Sequence, residues 1–169
     1  MRNALPRSRS SSPPAPAPGF EALLDTARML QRAGQGAESS GLLLRGKNLG
    51  LVCESESDVD ALLFRSAASA LGASVSHIRP DPAGTRPVEG TGLLDTARVL
   101  GRLYDGIECQ GLTTTLVRQL GREAGVPVFD RLAGANHPTA KLAQRLPGGD
   151  SPEKKRELIL QAVLLFALK

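Results

Sequence analysis

Four short apolar runs, each followed by a stretch with helical spacing, constrain this chain more than any other feature. Leu49 to Cys53 precedes a helical pattern over Ser57 to Leu71. ASVSHIRP, ending at Pro80, precedes another over Leu93 to Leu103, with the Pro/Gly loop Asp81 to Gly92 between them. Ile107 to Cys109 precedes Thr113 to Ala124, which stops at Gly125, and VPVFDRLA precedes a short helix opened by His137-Pro138. Strands that alternate with helices need crossover connections, and these place the strands parallel with helices on both faces. The expected fold is therefore α/β: three layers, with a four-stranded parallel sheet flanked by helices. One helix frames each end. GFEALLDTARMLQRAG puts Phe20, Leu23, Leu24, Ala27 and Leu30 on one face. The last helix starts at Ser151-Pro152-Glu153, with proline at the favoured first position, and closes the domain.

Composition narrows the function classes. The chain of 169 residues is 41% hydrophobic but only 3% aromatic, so its core is built of Leu, Val and Ala. Stacking surfaces for single-stranded nucleic acid need aromatics that are not there. The net charge of +4 is concentrated in the tail, where Arg2, Arg7 and Arg9 precede the first acid, Glu21. The remaining 18 basic residues face 17 acids, a near-neutral body without a nucleic-acid footprint. Met1 to Gly19, rich in Pro, Ser and Arg, reads as a disordered tail. Cys53 and Cys109 each end a strand and read as small buried hydrophobes, not as metal ligands or a disulfide. With no apolar run near the ~20 residues that span a bilayer, no membrane partner is expected and the cytoplasm is the default compartment.

The turn after the first strand poses the main question. ESESDVDA, Glu54 to Ala61, joins a strand to a helix, where α/β proteins hold phosphates on free backbone N–H groups. Here it carries four carboxylates, Glu54, Glu56, Asp58 and Asp60. Their spacing matches no EF-hand loop, so no metal site is expected. Ser57 and Asp60 have capping-box spacing, and Asp58 and Asp60 complement the helix dipole.

DTARVLGRLYDGIECQG, Asp95 to Gly111, resembles the corresponding segment of ornithine carbamoyltransferases. VPVFDRLAGANHPTAKLAQ is similar to the family's stretch ending in His-Pro-Thr-Gln, and LRGKNLGLVCESESDVDALLFRSAASALGA to its first strand, phosphate turn and helix. The resemblance covers Phe20 to Leu146 and implies the carbamoyl-phosphate domain of that family. Residues 147–169 resemble a loop and the terminal helix of full-length members, packing back on the same domain. The amino-acid domain that normally lies between them is expected to be missing.

Carbamoyl transfer needs guanidinium forks on the phosphate and donors facing the developing oxyanion. In the family these come from a Ser-Thr-Arg-Thr-Arg turn, an arginine before glycine at the third strand's exit, and the His and Gln of His-Pro-Thr-Gln. Carried onto this chain, the turn reads Ser57, Asp58, Val59, Asp60, Ala61. The later arginine is Gln110, and the Gln of the last motif is Ala140, while His137 stays. The family's lysine loop falls on Gly90-Thr91-Gly92. The resemblance thus leaves Ser57, Gln110 and His137 as candidate substrate-binding residues, with His137 the candidate catalytic one. Arg98, Arg102 and Asp105 read as holding the fold through local pairs.

Charge sets the expected outcome. Unit charges ~5 Å apart interact by roughly 3 kcal/mol at an effective dielectric near 20, against about 1 kcal/mol from a helix N-terminus. Exchanging arginines for carboxylates argues against carbamoyl phosphate as a ligand. The resemblance implies no cofactor and two alternative functions. One is a non-catalytic or regulatory paralogue that assembles as a homo-oligomer, a trimer, or with a full-length carbamoyltransferase. The other is a divergent carbamoyltransferase that uses carbamoyl phosphate, its amino-acid site supplied by a partner chain. The charge reversal also leaves open a cationic or neutral small molecule in the crevice.

Overall fold

The computed structural model describes residues 19–34, 43–80 and 91–169. The elements run α1 (Phe20–Gly34), β1 (Asn48–Val52), α2 (Val59–Ala70), β2 (Ser74–Ile78), α3 (Thr91–Leu103), β3 (Gly106–Cys109), α4 (Thr114–Ala124) and β4 (Val128–Asp130). A 3₁₀ helix (Pro138–Arg145) and α5 (Pro152–Leu168) complete the chain. The strands form one parallel sheet in the order β2-β1-β3-β4. The expected four-stranded parallel α/β fold with its C-terminal helix is what the structure contains. The tail Met1 to Gly19, apart from Gly19 itself, and most of the loop Asp81 to Gly92 lie outside the described residues.

Side-chain alternation sorts the sheet into two faces. Leu49, Leu51 and Cys53 join a core with α1, α2, the 3₁₀ helix and α5. Val52, Ile107 and Cys109 join a second core with Ala97 of α3 and Val117, Leu120 and Ala124 of α4. Both cysteines are free and buried, on opposite faces of the sheet. α5 is buried nearly all round, from Leu158 to Leu168, because it packs against α1, α2 and the 3₁₀ helix together. Gln31 of α1 pins the loop before α5, donating to the Pro147 carbonyl at 2.9 Å and to Asp150 at 2.6 Å.

Local chemistry fixes the ends of several elements. Thr113 Oγ1 accepts from Leu116 N, and Gly125 closes α4 in the left-handed region at φ 69°. Ser151 Oγ accepts from Lys154 N at the start of α5. Elsewhere the boundaries differ from expectation. β4 is three residues, not the whole of VPVFDRLA, because Arg131 turns left-handed (φ 50°). The next two N–H groups then leave the ladder for a side chain, described below. α3 starts at Thr91, two residues before the apolar periodicity. Phe20, expected on the buried face of α1, is 53% exposed.

Candidate functional site

In a doubly wound sheet, ligands sit outside the carboxyl ends of the strands where the strand order reverses. Here β2 lies on one side of β1 and β3 on the other, so the switch point falls between β1 and β3. Three segments meet there: the turn Cys53 to Asp58, the exit Gln110-Gly111, and the loop Arg131 to His137.

The acidic turn is internally neutralised. Glu56 Oε2 accepts from Arg65 Nη2 of α2 at 2.6 Å, and Oε1 lies 3.0 Å from His77 Nδ1 of β2. His77 reaches it because β1 and β2 pair in register, Leu51 opposite His77. The other ring nitrogen, Nε2, is 2.8 Å from the Cys53 carbonyl. Both ring nitrogens therefore face oxygen atoms. The Arg65 hydrogen bond holds the Glu56 carboxyl below its ordinary value, and His77 adds to the effect. The Arg65 Nε–H is buried without a partner among the described residues.

Helix α2 starts differently from the expected capping box. Its N-cap is Asp58, with no side-chain cap bond, and its first bond runs from Leu62 N to Asp58 O at 2.9 Å. Ser55, not Ser57, organises the turn: its Oγ accepts from Ser57 N and its carbonyl from Asp58 N. The chain thus enters the helix one residue later, and Ser57 is left exposed.

Below the crevice lies a carboxyl that the sequence did not single out. Glu108 is fully buried on β3. It accepts from Leu132 N at 3.2 Å, Ala133 N at 3.5 Å and Gln110 Nε2 at 3.2 Å. Burial pushes this carboxyl up to about 8, and the three hydrogen bonds pull the other way. On the same strand, burial pushes the Cys109 thiol up to about 12. The next peptide is held too, with Arg156 Nη2 of α5 donating to the Ala133 carbonyl. Glu108 and Arg156 together position the loop that leads to His137.

The three candidate residues are not brought into one hydrogen-bonded group. Gln110 is buried and spends its amide on Glu108. Ser57 bonds within its own turn. His137 Nδ1 accepts from Thr139 N at 3.3 Å and lies 2.8 Å from Thr139 Oγ1, so it caps the 3₁₀ helix. Burial lowers the His137 pKa, and Asp130 opposes this. Val59 is 75% exposed, whereas Ala61 is wholly buried in the core. Asp105 pairs across the fold, not locally, with Lys47 Nζ at 3.3 Å and Asn48 N at 2.8 Å. Arg98 reaches Glu123 at 4.0 Å, and Arg102 makes no ion pair among the described residues. No group of three or more His, Cys, Asp or Glu among the described residues is placed to hold a metal.

Residues 16–146 match the model of the aspartate/ornithine carbamoyltransferase carbamoyl-P binding domain. The chain belongs to this family. The catabolic ornithine carbamoyltransferase of Burkholderia mallei (strain ATCC 23344) is 40% identical over 142 residues, 84% of this chain and 41% of that protein. The ornithine carbamoyltransferase of Haemophilus influenzae (strain PittGG) is 43% identical over 124 residues, 73% of this chain and 36% of that one. Among solved structures, the Pyrococcus furiosus ornithine carbamoyltransferase aligns with a TM-score of 0.60 at 26% identity, over 75% of this chain and 39% of that chain. The catalytic subunit of M. jannaschii aspartate transcarbamoylase aligns at 0.59 and 28%, over 74% and 40%. The chain thus spans about two-fifths of the length of the curated relatives it matches. Among the described residues no helix is long and apolar enough to cross a membrane.

Proposed function

We propose that this chain is a carbamoyl-phosphate-type domain that has lost its grip on phosphate and works by assembly instead of catalysis. The observation that carries this reading is at positions 59 and 61. The Val59 side chain offers no donor to an anion, and Ala61 sits in the core, where a guanidinium would have to displace packed side chains. Gln110, at the third lost cation, is already engaged by Glu108.

Exposed apolar residues support the assembly. Val59 and Leu62 lie one turn apart at the start of α2, and Val99 and Leu103 one turn apart on α3, all more than half exposed. Partners of the chain are a second and third copy of itself or a full-length carbamoyltransferase. Sedimentation velocity, alone and mixed with a full-length ornithine carbamoyltransferase, tests this. A trimer or a mixed complex is the expected result; a monomer at all concentrations with no complex contradicts it.

The retained His137 and the 40% identity to a Burkholderia ornithine carbamoyltransferase favour a second reading. In it the chain is a divergent carbamoyltransferase that uses carbamoyl phosphate, with ornithine bound by a partner chain. Carbamoyl phosphate would then raise the melting temperature by mass action.

A further inference from the structure

Glu56 is held as if it were a ligand. Arg65 takes one carboxylate oxygen and His77 the other, so a single anionic group bridges a cation from α2 and a ring from β2. The fit is incomplete on the arginine side. A guanidinium offers Nε–H and Nη2–H as a parallel fork, and two anion oxygens take both. Glu56 takes only Nη2, and the Nε–H is left buried and without a partner. Neither Arg65 nor His77 lies in the Ser57 to Ala61 stretch that stands where the family has its Ser-Thr-Arg-Thr-Arg turn. Both nevertheless face the same turn after β1.

We propose that Arg65 and His77 form a latent oxyanion site of this chain, for a phosphate group, that Glu56 occupies as a built-in competitor. Glu56 is tethered a few residues from the end of β1, so its effective concentration at the pair far exceeds that of a free ligand. Its side chain is 48% exposed and makes no hydrogen bond or ion pair among the described residues beyond those to Arg65 and His77, so it can leave without disturbing the core. A phosphate entering in its place gains the Nε–H that the carboxylate leaves unused. The site does not depend on the loss of catalysis proposed above, and its test uses a variant in which the wild-type result is only the baseline.

The test is calorimetric titration of the full chain and of Glu56→Ala with inorganic phosphate and with carbamoyl phosphate, at constant ionic strength. Glu56→Ala is expected to bind a phosphate group at least about tenfold more tightly than wild type. Adding Arg65→Ala is expected to abolish the gain. The stronger of the two ligands identifies the source of the phosphate group. Glu56→Gln, which keeps the side-chain shape, repeats the comparison if the alanine variant does not fold. Binding no tighter than wild type in the folded variant, or a gain that survives Arg65→Ala, overturns the proposal.

Discussion

Arg65 Nη2 and Glu56 Oε2 lie 2.6 Å apart, nine residues apart in sequence, and this contact turns the most acidic stretch of the chain back on itself. Four carboxylates would repel a phosphate. One of them instead bonds to the first basic side chain of α2. Arg65→Ala is therefore expected to return the Glu56 carboxyl from its lowered position toward its ordinary 4.5, read by NMR titration of the side-chain carboxyl carbon. Because the folded value is depressed, the pair contributes stability above the ordinary value and loses it as pH falls through the folded one. An unchanged midpoint in Arg65→Ala would show that the contact does not form in solution.

Glu108 gives the opposite pH signature. Its folded value, about 8, lies above the ordinary 4.5, so between the two the folded state holds a proton that the unfolded chain releases. Stability is expected to fall as pH rises through this window, by at most about 1.4 kcal/mol per pH unit, and to level off above it. Glu108→Gln flattens that slope, because the amide does not titrate. At pH 6 it costs about 1 kcal/mol, since one of its two polar ends faces backbone donors. Urea melts of both proteins from pH 5 to 9 read this directly.

Packing makes a paired prediction on two glycines. A Cβ at Gly101 would stand 1.8 Å from the Ala124 carbonyl oxygen, so α3 and α4 touch backbone to backbone there. Gly101→Ala forces the helices apart and is expected to cost about 3 kcal/mol or more. At Gly121 the nearest atom to an added Cβ is Val128 Cβ at 3.7 Å, an ordinary contact. Gly121→Ala is expected to gain up to about 1 kcal/mol from helix propensity. Denaturant midpoints of the two variants should move in opposite directions.

The cap of α5 is a simpler case. Ser151→Ala removes the acceptor for Lys154 N and is expected to cost about 1 kcal/mol. Asp58→Ala, at an N-cap with no side-chain bond, should cost less. Thermal melts compare them.

What was legible in the sequence depended on distance along the chain. The Thr113 and Gly125 ends of α4 and the Ser151-Pro152 start of α5 are local chemistry, and they stand where the spacing puts them. The parallel pairing of the strands follows from their alternation with helices. The capping box at Ser57 failed because Ser55, two residues earlier, competes for the same turn. The far end of β4 is not set by local chemistry, since the chain there bonds to Glu108, 24 residues away from Leu132. The Arg65, Glu56 and His77 group needs the register of two strands, which no periodicity carries. Gln110 was placed in the crevice by its motif, but its amide points to a buried carboxyl that only the fold brings near.

Isothermal titration of the purified chain with carbamoyl phosphate at low salt tests the loss of the phosphate grip most directly. With an exposed valine at position 59, a buried alanine at position 61 and Glu56 on Arg65, no heat of binding is expected up to millimolar ligand. Saturable binding tighter than about 100 µM would contradict the account and return carbamoyl transfer to first place.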